Sequence, residues 1–202
     1  VGKIDHSEIR KQQILEAADR VLTAGGMENF TIDRVVEEAE IAKGTIYNYF
    51  RSRDELIAEM SLRTVALLHQ KFAQAVAAEE NTLEKLKAIC WANYTVYLDS
   101  PERYKLQFLI ERPEFNYKTD QMVSISSSLQ KFMYDLVSEG QRNKEIKTTI
   151  NPVVICSIIW AGAVAVVQFI ENKQRLLQDQ EGVTVEDLVA GFAEMITEGL
   201  KP

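Results

Sequence analysis

Apolar positions recur at helical spacing along almost the whole chain. Ile14, Leu15, Ala18, Val21 and Leu22 form a first stripe that the Gly25-Gly26 pair stops, which predicts a helix over 7–24. Thr31 is a good N-cap, and Ile32, Val35, Val36 and Ala39 fall at i, i+3, i+4 and i+7, so a second helix of about two turns follows. After Glu40-Ile41-Ala42 comes a third short helix. In it Ile46 and Phe50 lie four apart and face inward, leaving Lys43, Gly44, Thr45, Tyr47, Asn48 and Tyr49 largely outside. Ser52 and Glu55 fit the S-x-x-E capping box, opening a long fourth helix through Leu56, Met60 and Leu67 towards Glu80.

Every later boundary signal opens another helix. Thr82 precedes 83–98, Ser100-Pro101 precedes 104–110, and Thr119 precedes the stripe Met122, Ile125, Leu129, Phe132, Leu136. Asn151-Pro152 opens a very apolar helix over 153–170, continuing to about Gln180. Thr184 with Asp187 caps a last one that carries Val185, Leu188, Val189, Phe192, Met195 and Ile196. The expectation is an all-α chain of about nine helices, with no internal repeat and no competing strand pattern. Its predicted division is a small helix-turn-helix domain over 1–55 and a larger helical domain over 56–202. The run 153–170 touches the lower edge of what crosses a bilayer. Ser157, Gly162 and Gln168 interrupt it, and Ala161, Gly162 and Ala165 suit close helix packing, so the reading is a core or interface helix and no membrane.

Composition narrows the classes. With 202 residues, 46% of them hydrophobic and 26% charged, and only 9 Gly and 4 Pro, the chain has the balance of a helix-rich globular protein. Cys90 and Cys156 match no metal or redox spacing, so no disulfide, metal or cofactor is expected. Residues 1–13 are polar, without the apolar stretch of a secretory signal, which makes the cytoplasm the expected address. Catalytic ingredients are thin: His6 lies in the N-terminal segment, His69 on a polar helix face, and no Ser/His/Asp, HExxH or phosphate-loop pattern is present. Glu37-Glu38 and Glu79-Glu80 are neighbours in sequence and do not share a helix face, so an enzyme is not expected.

A net charge of −7 argues against nucleic acid until its distribution is considered. Residues 1–53 carry only −1, and the stretch 41–53 holds three basic residues, two tyrosines and no acid. A short helix, a turn and a second short helix with a polar, aromatic outer face is the geometry that offers a recognition helix to the major groove. Lys43 can reach a guanine edge or a phosphate, and Thr45 and Asn48 can bond bases or backbone. Tyr47 and Tyr49 can give hydroxyls to phosphates or rings to thymine methyls. Gly44 inside a helix costs ~1 kcal/mol relative to Ala, which suggests that something must approach the backbone there.

The ordered set of Thr31, the turn, Gly44, Tyr47, Phe50, the Ser52/Glu55 box and Leu56 resembles the N-terminal domain of the TetR (tetracycline-repressor) family over roughly 9–56. The resemblance implies a DNA-binding repressor. It also implies phosphate contacts from Thr31, Tyr47, Tyr49 and Arg53, and base or groove contacts from Lys43, Gly44, Thr45 and Asn48. Thr31 has a second role open to it, as a plain helix cap, and one hydroxyl can serve either. Two positions depart from the family pattern. Glu40 stands where Gly is common and Ala42 where Ser is common, so a turn glycine and a capping hydroxyl are missing.

The same resemblance implies a homodimer through the last two long helices, an operator DNA with inverted-repeat character, and a small-molecule effector. Trp91, Tyr94, Phe108 and Trp160 are the candidate lining of an apolar effector pocket, set against the commoner role of aromatic stripes as plain core. The implied mechanism is a ligand that prefers a dimer state whose recognition helices no longer fit adjacent grooves. The rival readings are a helical interaction protein, or an activator, built on the same fold.

Overall fold

A computed structural model of the chain describes residues 6–110, 112, 115, 117, 120–178 and 182–202, with side chains described in 6–110, 112, 115, 117, 120–173 and 182–202. The predicted cap at Thr119 and the predicted helix end at Gln180 lie outside these residues. Among those described, the regular elements are nine α-helices and a single 3-10 turn, and no strand. The helices fall into two compact units, each built around its own core.

The first unit comprises residues up to Val65 together with Ser100–Val123. It contains α1 (His6–Gly25), a 3-10 turn at Met27–Asn29, α2 (Ile32–Glu38), α3 (Lys43–Ile46), the start of α4 (Arg53–Ala77) and α6 (Pro101–Ile110). The inward stripe of α1 is the predicted one: Ile14, Leu15, Ala18 and Leu22 are almost wholly buried, beside Val35, Ile46, Phe50, Leu56 and Met60. Helix α6 lies against α1, held by an Arg103–Asp19 ion pair at 3.0 Å and by the Thr64 hydroxyl, which donates to the Arg103 carbonyl at 3.4 Å. Burial raises the Asp19 carboxyl above its ordinary value, and the Arg103 guanidinium opposes that shift.

The second unit comprises Ala66–Asp99 and Ser124–Pro202. It holds the remainder of α4, α5 (Thr82–Asp99), most of α7 (Asp120–Arg142), α8 (Pro152–Gln178) and α9 (Val185–Leu200). Helix α5 packs on α9 and α8, and α8 packs on α9. The α8–α9 approach is close because Gly162 faces the Phe192 ring, where an added Cβ would sit 2.4 Å from the ring edge. Gln141 closes the α7–α8 loop by donating its amide to the carbonyls of Lys147 and Ile150 at 2.9 and 2.8 Å.

The caps at Ser52 and Thr184 form where predicted, whereas Thr82 is the first residue of α5 and Asn81 caps that helix, its Oδ1 accepting from the Glu84 N–H at 3.0 Å. Thr184 accepts from the Asp187 N–H at 3.1 Å and Asp187 accepts from the Thr184 N–H at 2.7 Å, a complete capping box. At the start of α4, Ser52 accepts from the Glu55 N–H at 3.1 Å, but Glu55 accepts from the N–H of Arg51, not of Ser52. Its other oxygen accepts the Tyr117 hydroxyl at 2.7 Å, so the carboxylate is shared between the helix start and a distant side chain.

One stretch, Pro152–Lys173 of α8, is long and apolar enough to cross a membrane, with a mean hydropathy of 2.5. Its inward residues Ile155, Ile159, Ala163, Val167 and Ile170 are buried in the second unit. The opposite face leaves Val154, Ile158 and Phe169 exposed, with the small Ala161 and Ala165 between them.

Candidate nucleic-acid interface

The helix-turn-helix is assembled from its apolar positions outward. Val35 from α2 and Ile46 from α3 are fully buried, and Phe50, four residues beyond Ile46, is 1% exposed, which fixes the roll of α3 against the first unit's core. Lys11 of α1 helps hold this end: its ammonium lies 5.9 Å from the centre of the Phe50 ring and pairs with Glu59 at 3.3 Å. Helix α3 is shorter than the sequence pattern implies, one turn over Lys43–Ile46, and Tyr47–Tyr49 continue it as turns.

The turn between the two helices reflects both departures from the family pattern. Glu40 adopts the left-handed conformation with φ 51°, which L-residues other than Asn and Asp seldom take. The turn therefore forms without glycine, at a conformational cost. Ala42 occupies the N-cap of α3 and offers no side-chain hydrogen bond, so that helix starts uncapped.

With Ile46 and Phe50 inside, Lys43, Gly44, Tyr47 and Asn48 are exposed, while Thr45 and Tyr49 are half-buried. Beyond its chain neighbours and its own helix backbone, no described residue comes within 4 Å of where a Gly44 Cβ would be, so no packing among the described residues demands a glycine there. Lys43 is not a free cation: it pairs with Asp33 of α2 at 2.5 Å, and that hydrogen bond and charge hold its ammonium above the ordinary lysine value. The sequence reading missed Asp33. A carboxylate in the first turn of α2, one residue past its start, is the signal that pointed to it.

Thr31 and Arg53 have structural duties. Thr31 caps α2, its hydroxyl oxygen accepting from the Arg34 N–H at 3.3 Å. Arg53 donates its Nε to the Phe30 carbonyl at 3.0 Å, and its guanidinium carbon lies 5.7 Å from the Phe30 ring centre. Its remaining N–H groups are what it has to offer a phosphate.

In the second unit, α4, α5, α7 and α8 surround a small apolar cavity of about 30 Å³, on the order of one water molecule. Phe72, Ile89, Leu129, Met133 and Trp160 line it, together with both cysteines and the deeply buried Asn93. Of the four candidate pocket residues, Trp160 reaches this cavity. Tyr94 is buried elsewhere on α5 and Trp91 is largely exposed, while Phe108 belongs to the first unit and packs edge-on against Tyr104. Burial pushes the Cys90 thiol up to about 12 and the Cys156 thiol to about 11, so both stay protonated and unreactive at neutral pH. Asn93 escaped the sequence reading; its signal was a lone amide among Ile89, Cys90, Val96 and Tyr97 on the inward face of α5.

A helix-turn-helix with an exposed, polar and aromatic second helix defines a DNA-binding domain of the transcription-regulator class. Residues 14–60 match the model of the bacterial regulatory proteins of the tetR family. The repressor KstR2 of Mycobacterium tuberculosis is 23% identical over 141 residues, covering 65% of this chain and 66% of that protein, just under two thirds of its length. Two solved structures share the fold over almost the full chain. A Rhodococcus protein of unknown function superposes with a TM-score of 0.82 at 17% identity, covering 100% of both chains. The transcriptional regulator FadR of Bacillus subtilis, solved in complex with stearoyl-CoA, superposes with a TM-score of 0.71 at 16% identity, over 94% of this chain and 98% of that one. Over residues 14–60, then, the chain carries the domain that this family model describes, and the solved structures share the fold of the whole.

Proposed function

We propose that the protein is a transcriptional repressor that binds an inverted-repeat operator as a homodimer and leaves it when an apolar small molecule enters the second unit. The observation that carries the DNA-binding half is the exposed set Lys43, Gly44, Tyr47 and Asn48 on a helix whose roll is locked by Ile46 and Phe50. Residues 1–55 are the DNA-reading part in this reading, with Thr45, Tyr49 and the free N–H groups of Arg53 adding contacts and Thr31 serving chiefly as a cap. Residues 56–202 hold the effector and the partner protomer.

Dimerisation is supported by the exposed face of α8 and by Met195 of α9, which is 77% exposed. A second copy laid across α8 and α9 would cover Val154, Ile158 and Phe169, and Ala161 and Ala165 would let the two helices approach closely. That arrangement also places the apolar α8 in a protein interface instead of a bilayer, in keeping with a cytoplasmic regulator. The two-fold axis would set paired recognition helices on half-sites of opposite orientation.

Effector binding is supported by the apolar cavity around Trp160 and by the acyl-CoA held by the Bacillus FadR. Drug-sized ligands occupy roughly 300–1,000 Å³, far more than the cavity offers, so the ligand would have to part α5, α7 and α8 to enter. A long acyl chain or a similarly apolar body is the class this lining suits. Repression then ends because the opened state is the one the ligand binds more tightly.

The test is enrichment of a random duplex DNA pool on the purified protein at fixed moderate salt, beside Lys43→Ala and Tyr47→Ala variants. An inverted repeat recovered by the wild type and weakened in both variants is the expected result. Titration of the recovered complex with long-chain acyl-CoA, followed by Trp fluorescence and by DNA release, reads the effector half. Recovery of no sequence over bulk DNA by a dimeric, folded protein would overturn the repressor reading.

A further inference from the structure

Most basic side chains of the first unit are engaged by the protein itself. Lys11 pairs with Glu59, Arg20 with Glu38, Lys43 with Asp33, Arg103 with Asp19 and Lys105 with Glu102, while Arg53 donates to a carbonyl. Arg10 is different. It is exposed on the second turn of α1 and has no acidic partner among the described residues. It opens onto a surface cleft of about 510 Å³, whose other walls are His6, Ser7, Ile9 and Gln13 of α1 and Tyr49 from the end of the recognition segment.

The chemistry of this lining is one-sided. Arginine, histidine, glutamine and tyrosine all present N–H or O–H donors, and among the described residues no carboxylate lines the space. A fixed cation amid neutral donors with no competing anion is the donor set that a phosphodiester accepts. Tyr49 ties the cleft to the DNA-reading surface, since it follows Tyr47 and Asn48 by one or two residues.

We propose that this cleft seats a backbone phosphate of the bound duplex, with Arg10 as the charged ligand and Tyr49 as a hydroxyl donor, so that α1 grips the strand beside the groove that α3 reads. The proposal rests on the DNA-binding reading above and adds to it a contact outside the helix-turn-helix. Because a phosphate is the same whatever base it carries, the contact strengthens binding without choosing sequence.

The salt dependence of affinity separates this role from a structural one. Each phosphate neutralised adds about −0.9 to the slope of log K against log salt on B-DNA. Fluorescence anisotropy on the duplex recovered by selection, and on a shuffled duplex of equal length, is to be measured for wild type, Arg10→Ala and Arg10→Lys. Thermal melts run alongside check that each variant stays folded. Arg10→Ala should weaken both duplexes by the same factor, roughly 5- to 20-fold, and make the slope shallower by about one. Arg10→Lys should restore the slope and part of the affinity. A folded Arg10→Ala with unchanged affinity and slope, or one that loses the selected duplex alone, overturns the proposal and leaves the repressor reading intact. A wild type that binds neither duplex overturns both.

Discussion

Replacing Gly44 with alanine should stabilise this protein and impair what it does. Glycine in a helix interior is about 0.8–1.0 kcal/mol less favourable than alanine, because its unfolded chain has more freedom to lose. The usual objection, that the added methyl would clash, does not apply: beyond its own helix backbone and chain neighbours, no described residue lies within 4 Å of the position a Cβ would take. Helix α3 is a single turn, Lys43–Ile46, so the gain should fall at the lower end, about 0.5 kcal/mol or somewhat more. For a chain of this size that corresponds to a rise in Tm of roughly 1–3 °C. Against DNA the same methyl stands on the face that also carries Lys43 and Tyr47. Overpacking a close contact costs typically ~1–3 kcal/mol, a loss of about 5- to 150-fold in affinity. Paired thermal melts and anisotropy on the selected duplex, at matched protomer concentration and salt, read both quantities on one preparation. A variant that is more stable and binds DNA as tightly as wild type would refute the argument, since Gly44 would then have neither an internal nor an external reason. A variant that is less stable would refute the geometry of α3 itself.

The turn at Glu40 invites the opposite comparison: Glu40→Gly should gain about 1 kcal/mol by relieving the left-handed backbone at φ 51°, while Glu40→Ala should gain nothing, and urea melts of the pair decide it. Gly162→Ala should lose ~1–3 kcal/mol, because its Cβ would stand 2.4 Å from the Phe192 ring, and Gly162→Ala/Phe192→Leu should recover part of that in the same melts. The capping box of α9 makes stability fall in acid. The Thr184 hydroxyl and N–H hold the Asp187 carboxyl below its ordinary 3.8, so this contribution is full above that value and is lost as pH falls through the lower folded one. Thr184→Ala should flatten that part of the curve in melts recorded from neutral pH downward.

How much of this was legible beforehand depends on the physics of each element. The inward faces of α1 and α2 followed from helical spacing, because burial of Ile14, Leu15, Leu22 and Val35 is what the spacing encodes, whereas on α9 the apolar stripe is split, with Val189 buried and Met195 exposed. The outward residues of α3 were readable by subtraction once Ile46 and Phe50 were placed inside. The pairing of Lys43 with Asp33 was not, since it joins two short helices across a turn whose geometry a glutamate sets against its own preference. Nor was the rerouting of Glu55 to the Arg51 N–H, a local choice bound up with Tyr117, 62 residues away. The pocket was the least legible part. Trp91, Tyr94, Phe108 and Trp160 are alike in sequence terms, and only the helix-to-helix packing brings Trp160, and not the others, to the cavity.

That cavity of about 30 Å³ carries a consequence for timing. Under the proposed function, in which the effector enters here, a space that barely admits a solvent molecule has no standing vacancy for it, and the receptive state would be a rare fluctuation. The apparent dissociation constant is then the intrinsic one divided by the fraction of molecules that are open. Such a sensor ignores brief or dilute pulses of its signal and discriminates against small metabolites, which gain too little from the exposed walls to hold them apart. Once occupied, it forgets slowly, because the helices that closed over the guest must separate again before it can leave.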